Sequence, residues 1–163
     1  MKNIIRLERK LKNFKLSRRL QTLLDTLEKE GFFLRVIPKN GNFSEYVDYV
    51  LQNKRDLMPE VKYTENHLLK EDSWGEILVV ENEGKIVASF GPNRIEKDKK
   101  EKMRARPGYF TVLPKFRKKK IGTVLWWVGL ERMKKMGASY IECSVEKENL
   151  PALKIYLGSG MNE

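Results

Sequence analysis

Five cations occupy six positions at Lys115-Phe116-Arg117-Lys118-Lys119-Lys120, and Ile121-Gly122-Thr123 follow at once. Charge of that density, placed just before a stretch with helical spacing, suits a pyrophosphate. The first N–H groups of a helix have no intrahelical acceptor and stand at the positive end of its dipole. That end is a ready anion site. Gly122 lets the backbone approach a ligand closely. Arg117, Lys118, Lys119 and Lys120 add mobile positive charge around it. Further on, Tyr156 offers a phenol on a short helix, where a core-edge aromatic is the plain reading. Asn149 has the residue type that caps the helix expected over 150–157, whose first turn Pro151 can open.

These residues need a strand that delivers the loop and a helix that leaves it. Residues 109–113 alternate as a strand ended by Pro114, and 121–136 read as a helix closed by Gly137. A strand over 139–145 and the helix over 150–157 complete this half. Upstream, Ile4, Leu7, Leu11 and Phe14, then Leu20, Leu23, Leu24 and Leu27, predict helix over 2–30 in two pieces, with Ser17 as N-cap and Gly31 as stop. A strand is expected over 32–37, an amphipathic helix over 43–54 and a weaker one over 60–70. The clearest hairpin joins 77–80 to 86–90 through the polar turn Asn82-Glu83-Gly84-Lys85. The charged run 96–106 lacks apolar periodicity and reads as an exposed, mobile connection. The order describes one mixed α/β unit without repeats.

The segment 112–123 resembles the signature of the GNAT superfamily of acyl-CoA-dependent acetyltransferases, V-x-P-x-x-[RQ]-x-x-G-x-[GA]. Val112, Pro114, Arg117, Ile121 and Gly122 match it, and Lys120 replaces the first glycine. A second stretch is similar to the family's N-x-x-A-x-x-x-Y-x-x-x-G-[FM], through Asn149, Ala152, Tyr156, Gly160 and Met161. The resemblance covers roughly 32–161 and is sharpest from 107 onward. It implies an α/β (α+β) fold, a central mixed sheet flanked by helices over 32–163. To this the chain adds an N-terminal helical segment, 1–31, and a shortened C-terminus. The strand that usually lies beyond 139–145 is missing, so an open edge is expected, covered by the N-terminal helices or by a second copy in a homodimer. A shortened natural protein or a truncated product is the other explanation.

The resemblance further implies acetyl-CoA as acyl donor, no metal, and direct attack by an amine acceptor, a small molecule or a protein. Backbone near Thr111 and Val112 would hold the pantetheine and polarise the thioester carbonyl. Arg117, Lys118, Lys119, Lys120, Ile121, Gly122 and Thr123 would hold the phosphates, Asn149 would contact the cofactor, and Tyr156 would protonate the departing thiolate. Lys120 either pairs with a phosphate or lies across the loop. The general base is open: 109–111 carry no acid, and Glu146, Glu76, His67 or an ordered water are the candidates. Cys143 reads as a small core residue. Trp126 should face the sheet, and Trp127 falls among polar residues, at a partner surface or under a neighbouring loop.

At 163 residues, with 40% hydrophobic and 34% charged content, the chain has the balance of one folded domain. No apolar run approaches the ~20 residues of a membrane span, the N-terminus lacks a secretory signal, and the single Cys143 excludes an intrachain disulfide. A cytoplasmic location follows. The net charge of +11 suits anionic partners or simply a soluble surface. Within acetyl transfer it favours an acidic protein or an RNA-bound amine over polycations. The rival reading is a catalytically impaired CoA- or RNA-binding module. A nucleic-acid role has no aromatic-plus-basic motif behind it.

Overall fold

A computed structural model describes residues 3–57 and 75–163. The helix expected over 60–70, with His67, lies outside the described residues. In chain order the elements are β1 (Ile4–Lys10), α1 (Arg18–Lys29), β2 (Phe32–Ile37), α2 (Ser44–Gln52), a short α3 (Lys54–Leu57), β3 (Ile77–Asn82) and β4 (Lys85–Gly91). There follow β5 (Arg94–Lys97), β6 (Met103–Arg106), β7 (Tyr109–Val112), a 3-10 turn (Pro114–Phe116), α4 (Ile121–Lys135), β8 (Tyr140–Glu146) and α5 (Leu150–Gly158).

The strands form two four-stranded sheets. One is antiparallel in the order β2-β3-β4-β7; the other runs β1-β8-β6-β5, with β6 and β8 parallel. The first is apolar on both faces. Leu78, Val80, Ala88 and Phe90 meet α4, while Ile77, Val79 and Ile86 meet Tyr46, Val47, Tyr49 and Val50 of α2. The second sheet contributes Leu7, Ala105, Ile141 and Val145 to the α4 side, so one apolar cluster runs beneath both sheets. Its other face is charged, and neither apolar cluster reaches it.

The sheets are joined by one long hairpin whose arms cross from the first sheet to the second at Pro92-Asn93 and Pro107-Gly108. Buried Asn93 pins the crossing: its Oδ1 accepts from the Gly108 N–H at 3.2 Å and its Nδ2 donates to the Phe90 carbonyl at 3.4 Å. A Cβ at Gly108 would stand 2.3 Å from the Pro92 carbonyl oxygen, so a side chain does not fit there. Beyond the crossing β7 stays with β4, while β8, paired to β6 at Arg104↔Tyr140 and Ala105↔Ile141, continues against β1. The two neighbours part, and a slot opens between β7 and β8.

Two expectations need correction. The first piece of the N-terminal helix is instead strand β1, antiparallel to β8 from Ile4↔Glu146 to Lys10↔Tyr140. Only the second piece is a helix, α1, and Ser17 caps it by accepting from the Leu20 N–H. The β8 edge expected to be open is thus closed by the N-terminal segment of the same chain, as a strand and not as helices. Residues 96–106 are likewise no loose connection but most of the β5–β6 hairpin. Its turn is held by Asp98, which accepts from the N–H groups of Lys100 and Lys102 at 2.7 and 2.9 Å.

Candidate active site

In the antiparallel β4–β7 pair, hydrogen-bonded partners alternate with unbonded ones. The Leu113 N–H donates to the Val87 carbonyl at 2.9 Å. By the same register Thr111 faces Ser89 and Tyr109 faces Gly91. The backbone groups of Phe110 and Val112 therefore point the other way, into the slot. Arg117 takes one of them, its Nε donating to the Val112 carbonyl at 2.9 Å. This side chain is not the mobile counter-charge the sequence suggests; it folds back and ties the loop to the end of β7.

Thr111 is placed differently from expectation. Its backbone is turned to β4, and its buried hydroxyl lies between Ser89 Oγ at 2.7 Å and Tyr49 Oη at 3.1 Å. Burial pushes the Tyr49 phenol up to about 12, against the pull of these hydrogen bonds and of the Arg117 charge. This buried chain, on the face of the sheet away from α4, fastens α2 to β7 beside the slot. Phe110 and Tyr49 were not identified from sequence. Tyr49 lies at helical spacing from Tyr46 and Val50 on the inward side of α2, whereas Phe110 required the register.

The loop between β7 and α4 presents Lys118, Lys119 and Lys120 to solvent. Lys118 and Lys120 are left-handed, with φ of 65° and 66°. Lys120 stands at the helix N-cap without a side-chain capping bond. The first intrahelical bond here runs from Val124 N–H to the Lys120 carbonyl at 3.0 Å, so the N–H groups of Ile121, Gly122 and Thr123 precede the ladder. Left-handed residues in such a turn gather successive N–H groups into an anion-holding concavity. The Ile121 side chain is buried, so only its backbone faces the loop. Gly122 serves a second purpose: a Cβ there would lie 3.1 Å from Phe110 Cζ and 3.6 Å from Val112 Cγ2, so the glycine lets α4 settle against β7.

Tyr156, on α5, is buried beneath the slot. Its ring lies 4.3 Å from Trp126 and 6.3 Å from Phe110 on the β7 side, and it feels the Cys143 thiol on the β8 side. Burial raises its phenol well above the ordinary value of 10.0, so it holds its proton through the neutral range. Asn149 caps α5, its Oδ1 accepting from the Ala152 N–H at 3.3 Å. Cys143 is half-buried, and burial lifts its thiol to about 12, which suits a packing residue.

Glu76 is not placed for a general base. It is buried and clamped bidentately by Arg132, at 2.5 and 2.7 Å. Arg132 lies eleven residues along α4 from Ile121, about 16 Å at ~1.5 Å per residue. Glu146 ends β8 and, by alternation, shares a face with Glu142 and Ser144, opposite Cys143 and Val145. Trp126 faces the sheets as expected and donates to Ser159 Oγ at 2.8 Å. Trp127 is partly covered by Phe14 at 5.6 Å and by the Arg9 guanidinium at 5.9 Å, both from the N-terminal segment. Among the described residues no helix is long and apolar enough to cross a membrane, and no group of three His, Cys, Asp or Glu is placed to hold a metal.

Several solved structures share this fold. A GCN5-related glucosamine N-acetyltransferase region of a fungal multi-domain GH3 β-N-acetylglucosaminidase superposes with a TM-score of 0.69 at 18% identity, over 98% of this chain and 20% of that one. This chain thus spans about a fifth of that protein. An aminoglycoside acetyltransferase from an uncultured soil metagenomic sample, in complex with trehalose, gives 0.65 at 15% identity, covering 80% of this chain and 88% of that one. Aminoglycoside N-acetyltransferase AAC(6')-Iy in complex with CoA gives 0.61 at 15%, covering 81% and 88%. At these identities the likeness establishes the fold. No curated protein matches the sequence. The model of the acetyltransferase (GNAT) family matches residues 43–161, from α2 through the slot and loop to the end of the second motif, and the chain belongs to that family.

Proposed function

We propose that the protein is an N-acetyltransferase that moves the acetyl group of acetyl-CoA directly to an amine, in the cytoplasm. The observation that carries this reading is the position of Tyr156, under a slot whose β7 wall turns the Phe110 and Val112 backbone inward. The cationic loop and the α4 N-terminus receive the pyrophosphate at the Val112 end of the slot. From there the pantetheine runs along β7 toward Gly108, and the free Phe110 N–H polarises the thioester carbonyl. The amine nitrogen attacks the carbonyl carbon, the carbon–sulfur bond breaks, and Tyr156 gives its proton to the departing thiolate. Glu146 lies on the opposite face of β8 from Tyr156, where it can take the proton the amine loses.

A thermal-shift titration with acetyl-CoA, combined with thiol release over an amine panel, tests the reading. Stabilisation with turnover is the expected result, and Tyr156→Phe should slow turnover without weakening acetyl-CoA binding. Stabilisation without turnover points to the impaired module that Lys120, at the place of the family's glycine, keeps in view. No response to acetyl-CoA or CoA removes both.

A further inference from the structure

The charged face of the second sheet carries four side chains on the hairpin arms next to the slot. Arg94, Glu96, Arg104 and Arg106 alternate with the inward Ile95 and Ala105, so all four project from one face. Arg94 and Arg106 are direct cross-strand partners. Like charges directly opposed across a ladder destabilise it, and a local rule broken without compensation is expected chiefly at functional positions.

The carboxylates among the described residues do not neutralise the pair. Glu96 is committed to Arg104 at 2.5 Å, and Glu142 to the same guanidinium at 3.4 Å. Arg106 reaches Glu96 only at 3.6 Å, with its side chain about half exposed at 49%. Arg94 forms no ion pair or hydrogen bond with the described residues. All three arginines pull the Glu96 carboxyl below its usual range, with Arg104 foremost. Among the described residues the cluster is thus positive even after its own carboxylates are counted. Arg104 Nε is moreover buried without a partner among the described residues.

Position turns this surplus into a specificity device. Arg106 is the last residue of β6, immediately before Pro107-Gly108, and Arg94 immediately follows Asn93 on the other arm. Both therefore flank the closed end of the slot. β7 spans about 13 Å at ~3.3 Å per residue, so a pantetheine anchored at the Val112 end delivers its acyl group toward Gly108. The remainder of an acceptor attacking there lies over Arg94 and Arg106.

We infer that these two arginines select acceptors carrying an anionic group, a carboxylate or a phosphate, beside the reactive amine. The inference rests on the acetyl-transfer reading. Two planar guanidinium forks suit either oxyanion bidentately. Two matched pairs of acceptors separate the sources: glycine against glycinamide, and O-phosphoethanolamine against ethanolamine. In at least one pair the anionic member should be acetylated with kcat/KM about tenfold or more higher, the scale of a charge-assisted hydrogen bond. The double variant Arg94→Gln/Arg106→Gln should lose that preference while acetyl-CoA still raises its Tm as in the native protein. Arg94→Lys/Arg106→Lys should recover part of it.

Equal rates within both pairs, or a preference that survives the double variant, overturn the inference. If neither pair is acetylated, calorimetric titration of O-phosphoethanolamine and glycine onto the native and doubly substituted proteins decides. Binding weakened by the substitutions supports the site, and identical or absent binding overturns it. A failure of acetyl-CoA to stabilise any of the three proteins instead counts against the transferase reading itself.

Discussion

The two sheets have the same number of strands and are built by opposite rules. The β2-β3-β4-β7 sheet is buried on both faces, between α4 and α2, and its central strands are mostly apolar, with Ser89 the buried polar exception. The β1-β8-β6-β5 sheet lends one face to the core and keeps charge on the other, through Arg6, Glu96, Arg104, Arg106 and Glu142. Continuous burial makes a rigid wall for β7, whereas alternation leaves a face that can meet a polar substrate. The slot lies where the two regimes meet, above the apolar cluster that the two sheets share.

Removing the side chain at the seam tests this division most severely. Trp126 is fully buried, 5.3 Å from Phe90 and 6.2 Å from Phe110 of the first sheet and 4.3 Å from Tyr156 of α5, in the apolar cluster that also holds Leu7, Ile141 and Val145 of the second sheet. Trp126→Ala should cost about 3–5 kcal/mol in denaturant unfolding. A loss under ~1 kcal/mol would mean that the sheets do not share this core. Within the second sheet the two faces should respond unequally. Leu7→Ala, at a fully buried position of β1, should cost about 2–5 kcal/mol. Its neighbour Arg6, 75% exposed and 4.0 Å from Glu142, should tolerate alanine within about 0.5 kcal/mol. Equal tolerance at both would make β1 an accessory ribbon instead of a member of the fold.

The same contrast explains what was legible in the sequence. β2, β3, β4, β7, β8 and the helices α1, α2, α4 and α5 follow from apolar periodicity, because burial on one or two faces writes it. β1 misleads because Arg9 occupies an inward position, its guanidinium 5.0 Å from the Phe14 ring. With Arg9 counted as polar, and Leu11 and Phe14 buried beyond the strand's end, Ile4, Leu7, Leu11 and Phe14 imitate a helical stripe. β5 and β6 are four residues each, with only Ile95 and Ala105 in the apolar cluster, so charge conceals them. The candidate loop and Tyr156 stand out through motif spacing. The Thr111–Tyr49–Ser89 chain and the inward turn of Phe110 depend on long-range register, which no local pattern carries.

That buried chain gives an intermediate test on the side of the first sheet. Thr111→Val keeps the shape and removes the hydroxyl that lies between Tyr49 and Ser89, leaving two buried hydroxyls short of a partner. A loss of about 1–3 kcal/mol is expected, with Thr111→Ser recovering most of it. An unchanged stability would show that water replaces the missing group. The same burial should appear as alkaline sensitivity. Burial raises the phenols of Tyr46, Tyr49 and Tyr156 above 10.0, and the Cys143 thiol above 9.0. The native state then keeps protons that the unfolded chain releases, so these groups contribute fully below their ordinary values and the contribution is lost as pH rises. Denaturant midpoints should therefore fall from about pH 9–10 toward 12, the values to which Tyr49 and Cys143 are pushed. Midpoints that stay flat across that window would contradict the burial.

The smallest expected effect lies in the loop, at Lys120, where the strain of the backbone and the proposed phosphate site can be told apart. Lys120 holds φ of 66°, a conformation that costs a residue with a Cβ about 1–2 kcal/mol. Lys120→Gly removes that strain but frees the unfolded chain by ~0.4–1 kcal/mol, so a net gain of roughly 0.5–1 kcal/mol in stability is expected. The position is an N-cap, where glycine carries little of its helix-interior penalty. Binding should move the other way. If the lysine serves a phosphate, the glycine variant should bind acetyl-CoA a few-fold more weakly, as fits one exposed ion pair. Higher Tm with weaker binding would show that strain in the loop is retained for the charge it positions. Higher Tm with tighter binding would instead make Lys120 an obstruction across the phosphate site.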